Sequence, residues 1–289
     1  MKKIFQLVLN NLSKISGKKI LYLSSSNYQE PKNFAVKSKY NFWYCGNVFD
    51  QGDIAYGIAN NGLVDKYDSE LVKKIITKLK KDFVFYDIGA NTGWYTMLSS
   101  SINNDCTVHS FEPVQEHIDC LKESIFLNRK EKQVTIHEIA LSNKKGEVEI
   151  KLAGTGSSIE ENFLKVNKGS RKIKTNALDS FMEEMPLPDF IKIDVEGHEY
   201  KVLQGSDQII NKSKPILFIE ICYSLNNDNR DFINKDFDDI FTFLNKKGYV
   251  VYKSDGSKLE KITTFEKKDG VDMYLFLNPE KHSDIIKSI

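Results

Sequence analysis

Between residues 83 and 247 short apolar runs alternate with amphipathic stretches, and few architectures satisfy that alternation. Phe83 to Ile88 reads as a strand, followed by a turn and a helix from Trp94. Thr107 to Phe111 reads as a second strand, followed by a helix from Gln115 to Asn128, and Val134 to Glu138 as a third. Glu147 to Leu152 reads as a fourth. Phe190 to Ile193 precedes a helix from Tyr200 to about Ile210, and Pro215 to Ile221 precedes one from Phe237 to Lys247. Strands this apolar, joined by helices, predict a parallel sheet covered on both faces. The end of the chain breaks the rule. Gly248 to Tyr252 and Val271 to Leu277 are strands joined by a polar loop with no crossover helix, so they are expected to pair antiparallel. The expected fold is α/β, with a mostly parallel sheet closed by an antiparallel hairpin.

Ahead of this region, Leu71, Ile75, Ile76 and Leu79 share one face of a helix expected over Asp68 to Lys80, with Asp68 or Ser69 as its cap. Residues from Ile20 to about Asn61 read as irregular, with short β-like runs such as Tyr40 to Tyr44. Residues 1–66 are therefore expected to form an N-terminal extension and residues 67–289 the main domain. Ile4, Val8 and Leu12 have the spacing of an amphipathic helix. Gln6, Asn10, Asn11 and Ser13 interrupt the apolar run, which argues against a signal peptide or a membrane span.

A chain of 289 residues, two-fifths apolar, can bury a substantial core. Its 41 basic and 40 acidic residues leave no global field for holding a phosphate backbone, so no nucleic-acid partner is expected. Cys45, Cys106, Cys120 and Cys222 stand far apart without zinc spacing, as expected of reduced thiols in the cytoplasm.

Three strand ends carry chemistry. The first is Asp87-Ile88-Gly89-Ala90-Asn91-Thr92-Gly93, where a strand enters a turn with two glycines. The spacing is G-x-x-x-G, not the G-x-G-x-x-G of dinucleotide binders. Asp87 at the strand end suits the ammonium of a methionine-type ligand. The second is Phe111-Glu112-Pro113, about twenty residues further on, where a carboxylate can accept both hydroxyls of a ribose. The third is Ile191-Lys192-Ile193-Asp194-Val195-Glu196-Gly197-His198-Glu199, which delivers several carboxylates to the edge of the sheet where ligands bind. Glu220 ends the next strand and is expected to face Asp194.

Two lesser features stand between these. Gly154-Thr155-Gly156-Ser157-Ser158 is a loop that either covers a cofactor, contacts an acceptor or lies on the surface. Lys165 to Lys174 holds five basic residues in ten and reads as a solvated strand or loop before it reads as an anion contact.

The motifs together resemble the FkbM family of methyltransferases. The resemblance runs from about Asp82 to Leu225 and is carried by the three strand ends above with Asn128, Ala140-Leu141-Ser142, Leu178-Asp179, Val202-Leu203, Gly205 and Lys214-Pro215 with Glu220. It implies a class I methyltransferase, Rossmann-like sheet and S-adenosylmethionine held by Asp87, Gly89, Ala90, Asn91, Gly93, Glu112, Pro113, Ala140 and Asp194. It also implies a sugar, glycan or related small-molecule acceptor that is O-methylated. Transfer to a hydroxyl calls for a base, and Asp194, Glu196, His198 and Glu220 are the candidates. A divalent metal on Asp194 and Glu220 is the other route. The family often has a small residue where this chain has His198. A nicotinamide-dependent sugar oxidoreductase and a non-catalytic domain of the same fold are the competing readings. The glycine spacing and the closing hairpin argue against the first.

Overall fold

The computed structural model describes residues 20–23, 33–47, 54–153, 156–160, 169–223, 234, 236–254, 259–263 and 270–289. The helix expected around Ile4 to Leu12 lies outside them.

The segment read as irregular is ordered where it is described. β1 (Ile20–Leu23), β2 (Asn33–Lys37) and β3 (Trp43–Asn47) form an antiparallel sheet, followed by α1 (Ile54–Asn61). The strands are short and lack strict alternation, which hid them. β3 is an edge, and its exposed backbone is covered from elsewhere in the chain. Asn128 accepts from the Trp43 amide at 2.8 Å and donates to the Trp43 carbonyl at 2.7 Å. Ser124 Oγ accepts from the Cys45 amide at 2.9 Å. Phe34, Phe42, Tyr44 and Ile58 share one apolar cluster with Leu71, Trp94 and Leu98, so this segment packs into the core of the main sheet.

Helix α2 spans Lys66–Lys78, two residues earlier than expected. Asp68 and Ser69 thus lie within its first turn and do not cap it. Ser69 is buried, donates to the Val64 carbonyl at 2.7 Å and accepts the Trp94 indole N–H at 2.8 Å.

Then follow β4 (Val84–Ile88), α3 (Trp94–Ile102), β5 (Thr107–Phe111), α4 (Gln115–Leu127) and β6 (Val134–His137). Next come β7 (Ala140–Leu141), β8 (Gly146–Lys151), β9 (Ser170–Asn176), β10 (Phe190–Ile193), α5 (Glu199–Gln204) and α6 (Asp207–Ser213). The chain ends in β11 (Ile216–Tyr223), α7 (Phe237–Lys246), β12 (Val250–Ser254), β13 (Leu259–Lys261), β14 (Gly270–Leu277) and α8 (Ser283–Ser288).

Among the described residues the central sheet runs β13-β12-β14-β11-β10-β4-β5-β6. The five strands from β11 to β6 are parallel, and β14 lies antiparallel between β11 and β12. The expected closing hairpin is therefore present. Successive side chains leave a strand on opposite faces. Phe83 and Phe85 accordingly pack with Leu71, Val72, Ile75 and Leu98, whereas Val84, Tyr86 and Ile88 pack with Val202, Leu203, Ile210, Ile240 and Leu244.

Two expectations need correction. β8 does not join the central sheet; it pairs with β9, and β9 with β7, in a separate three-stranded sheet. β8 buries only Ile150 fully, with Val148 half-buried on the same face and charged residues on the other, so it has no second face for a two-sided core. The helix expected from Tyr200 to Ile210 is two helices broken at Gly205-Ser206. A Cβ on Gly205 would stand 2.0 Å from the Ser142 carbonyl oxygen, so the close approach of β7's end selects glycine there.

Where it is described, the basic stretch faces acidic residues. Lys172 and Lys174 stand opposite Glu149 and Glu147 on β8, and Arg171 bonds Glu116 through both of its terminal nitrogens.

Candidate active site

The glycine turn forms one wall of a cleft at the carboxyl edge of the sheet. The interior of the cleft holds about 70 Å³ of free space. Gly89, Asn91, Glu112, Pro113, His117, Ala140, Ser157, Asp194 and Glu196 line it, with Ile88, Phe111, Ile139, Leu141, Ile150 and Ile159 as apolar surface. The glycines answer to protein neighbours. Gly89 (φ +72°) would place a Cβ 1.8 Å from the Asp194 carbonyl oxygen, and Gly93 (φ +91°) one 2.2 Å from Leu121 Cδ1. Glycine thus lets the turn lie directly against the end of β10 and against α4.

Glu112 is buried and organises the turn. Its Oε2 accepts the Asn91 amide at 2.8 Å, its Oε1 accepts the Val114 amide at 2.9 Å, and His117 Nδ1 stands 3.3 Å from Oε1. Each carboxylate oxygen has a second acceptor direction. Oε1 already has two neighbours, so Oε2 keeps one acceptor direction for a further donor such as a ribose hydroxyl. The residues present fit the expected nucleoside.

Asp87 does not line the cleft, and neither do Ala90 and Gly93. The pleat of β4 turns the Asp87 side chain inward, where it is 0% exposed. Its Oδ2 accepts from Thr96 Oγ1 at 2.6 Å, and its Oδ1 stands 3.7 Å from Lys192 Nζ. Burial raises the Asp87 carboxyl against the pull of Lys192 and Thr96. Asp87 thus meets Thr96 and Lys192 at the sheet edge. Lys192 itself was overlooked as a charge partner, because a lysine in an apolar strand reads as an interruption. It is buried, lies 3.0 Å from Asp194 Oδ2 and donates to the Gly89 carbonyl at 2.9 Å. Burial works to lower its pKa, but Asp194, Asp87 and Glu220 outweigh that and hold it above the ordinary lysine range.

At the end of the cleft the expected convergence is present. Carboxylate oxygens of Asp194, Glu196 and Glu220 lie within 4.8 Å of one another. Burial first, then Asp194 and Glu199, push the Glu196 carboxyl well above its usual range. Burial first, then Asp194 and Glu196, do the same to Glu220. Three hard oxygen donors of this kind suit magnesium or manganese. Lys192 already supplies one positive charge to the set.

Glu196 stands at φ +55°, a left-handed conformation that favours glycine, and Gly197 follows at φ +96°. Glu199 supports this turn. It is 1% exposed, and its Oε1 accepts the Val195 and Gly197 amides at 3.0 and 3.2 Å. Its Oε2 accepts from Asn234 Nδ2. Burial raises the Glu199 carboxyl to about 7.

His198 is buried away from the three carboxylates. Its Nε2 meets Ser142 Oγ at 2.9 Å and its Nδ1 meets Glu160 Oε1 at 2.7 Å, with Lys201 Nζ 3.0 Å from the same oxygen. Sitting just before α5, it faces Ser142 past the end of β7 and Glu160. Glu160 belongs to the loop of residues 156–160. Ser157 lines the cleft, and Ser158 Oγ donates to the Glu196 carbonyl at 2.6 Å. This part of the glycine-serine loop is thus a cleft wall, while Gly154 and Thr155 lie outside the described residues.

A mostly parallel sheet closed by antiparallel β14, with a glycine turn at its carboxyl edge, is the class I methyltransferase fold. The methyltransferase FkbM domain family matches residues 87–251, more than half of the chain, and the chain belongs to that family. A curated relative is the hexuronic acid methyltransferase AglP of Haloferax volcanii, 29% identical over 160 residues. The match covers 53% of this chain and 62% of that protein, so the chain spans less than two thirds of that relative's length. Among solved structures, the methyltransferase FkbM from Methylobacillus flagellatus KT is 16% identical with a TM-score of 0.47, over 77% of this chain and 53% of that one. The O-methyltransferase from Bacillus cereus in complex with SAH is 14% identical with a TM-score of 0.45, over 74% and 80%.

Proposed function

We propose that this chain is an S-adenosylmethionine-dependent O-methyltransferase acting on a hydroxyl of a sugar or glycan. The observation that carries this reading is the cleft itself, with Glu112 beside the glycine turn and Asp194 and Glu196 at its far end. Family membership supports the donor, and the hexuronic acid methyltransferase relative supports a sugar acceptor. The antiparallel β14 and the glycine spacing disfavour a nicotinamide oxidoreductase.

When bound, the cofactor supplies a methyl group on a sulfonium, which leaves as a neutral thioether. Glu112 holds a ribose hydroxyl, and the apolar cleft walls exclude water from the transfer. A sugar hydroxyl is a poor nucleophile until its proton is removed. Asp194, Glu196 and Glu220 are the carboxylates gathered where this proton can be taken as the new C–O bond forms. Lys192 keeps Asp194 neutralised throughout. Residues 67–289 carry this chemistry, and the described residues ahead of them add a layer joined to the turn by the Tyr44 hydroxyl and Thr92. Among the described residues no helix is long and apolar enough to cross a membrane. Four free, buried cysteines fit action in the reducing cytoplasm.

The test is methyl transfer from isotopically labelled S-adenosylmethionine to a panel of methyl hexuronosides and neutral methyl hexosides, read by mass spectrometry. One labelled methyl on a sugar oxygen is expected. Thermal stabilisation by NAD and none by S-adenosylhomocysteine would overturn the reading.

A further inference from the structure

We propose that Glu199 and Asn234 form a brace that sets the spacing between Glu196 and Glu220, which makes both of them positioning residues for the acidic site. The inference rests on the reading of that site as the place where the acceptor proton is removed. Glu196 and Glu220 belong to different elements, a left-handed turn after β10 and the middle of β11. The hydrogen bonds of the parallel sheet end at Ile193 and Ile219, short of both. Something else must fix their separation.

The contacts that do so form one continuous path. Glu199 Oε1 holds the amides on either side of Glu196, at Val195 and Gly197. Its Oε2 leaves the turn and takes the Asn234 side-chain amide. Asn234 in turn clamps β11 at Cys222. Its Oδ1 accepts the Cys222 amide at 2.7 Å and its backbone amide donates to the Cys222 carbonyl at 3.0 Å. Cys222 lies two residues past Glu220, so both side chains leave the same face of β11. Glu199 and Asn234 are 1% and 2% exposed and neither lines the cleft. Ordinary capping of α5 would need only the Oε1 contacts. The second oxygen, spent on a residue 35 positions away, is the feature capping leaves unexplained.

The polarity of the pair gives a clean test. Glu199→Gln keeps an oxygen for the two backbone amides but turns an amide N–H2 toward that of Asn234. Asn234→Asp sets two carboxylates against each other. The double variant restores the contact with the roles exchanged, because the Gln donates and the Asp accepts while its other oxygen still receives the Cys222 amide. We expect each single variant to lose at least about tenfold in kcat, with S-adenosylhomocysteine affinity and unit stoichiometry retained. The double variant should recover to within about threefold of the parent. A purely structural role would lower the bound fraction or the melting temperature instead, without this split. Independently of turnover, a crystal structure of Glu199→Gln should show the Glu196 and Glu220 carboxylates moved apart, out of the 4.8 Å range within which they now lie. Unchanged spacing, full kcat in both single variants, or a double variant no better than the singles would overturn the brace. Should Glu199→Gln not fold, Asn234→Ala, which leaves Glu199 on both backbone amides, is judged by the same two readouts. If the sugar panel yields no product, the proposed reaction fails while the crystallographic arm still decides on the brace.

Discussion

The Lys192 ammonium lies 3.0 Å from the Asp194 carboxylate and 3.7 Å from that of Asp87, the innermost acid of the site. One buried cation therefore joins the strand that carries the glycine turn to the strand that carries the acidic edge. Removing it leaves two carboxylates without their counter-charge. Lys192→Met is expected to cost about 3–5 kcal/mol of unfolding free energy, read by urea denaturation. A variant as stable as the parent would show that neither carboxylate depends on the lysine.

Glu112 is expected to contribute to cofactor affinity. Glu112→Ala should weaken S-adenosylhomocysteine binding by about 1–3 kcal/mol, measured by calorimetric titration on protein shown to be folded. Glu112→Gln should lose less, since one oxygen remains to accept the Asn91 amide. Unchanged affinity in Glu112→Ala would remove Glu112 from the ribose site.

Asp194→Asn and Glu196→Gln should each cut turnover at least about tenfold, or about 1.4 kcal/mol in the barrier. His198→Ala should cost less, because His198 faces Ser142 and Glu160 instead of the cleft end. Loss of activity on chelation, restored by magnesium or manganese, would assign a metal to the acidic edge. Normal turnover by both amide variants would leave this cluster a structural role.

Glu160 ties the loop of residues 156–160 to His198 and Lys201. The His198 contact is the largest cause of a depressed Glu160 pKa, about 2 against an ordinary 4.5. A depressed carboxyl stabilises the fold fully above its unfolded value and loses that contribution as pH falls through its folded one. Glu160→Gln should therefore be less stable than the parent at pH 7, by on the order of 2 kcal/mol given partial solvent screening. The difference should shrink between about pH 4.5 and pH 2. A gap that stays constant across this range would show that the carboxylate is not the source.

Gly89→Ala should be among the most damaging small substitutions. The added carbon meets the Asp194 carbonyl oxygen at 1.8 Å, and the backbone stands at φ +72°. A cost of about 2–5 kcal/mol combines overpacking with the left-handed penalty. A thermal melt matching the parent would contradict the close contact between the turn and the end of β10.

Much of this protein was legible in its residue order, since the signals concerned are local. Strands β4, β10 and β11 announce themselves as largely apolar runs, because both faces of a central parallel strand are buried. Glu112, Asp194, Glu196 and Glu220 are readable because each stands where an apolar run ends, and ligands bind at that edge. The antiparallel entry of β14 follows from a connection without a helix.

What the residue order left open are relationships between distant segments. Nothing local tells that β8 pairs with β9 outside the main sheet, since a half-polar strand serves either place. The pleat, not the residue type, decides that Asp87 turns inward to Lys192 while Glu112 opens on the cleft. His198, two residues from Glu196, leaves the acidic edge because a left-handed turn intervenes. Glu199 and Asn234 meet only once β10 and β11 lie side by side. Sequence by itself determined which chemical groups reach the carboxyl edge of the sheet, because strand ends are set by local periodicity. Tertiary structure alone decided which of them face the cleft and which neutralise or hold the others, because burial and charge pairing are properties of neighbours in space.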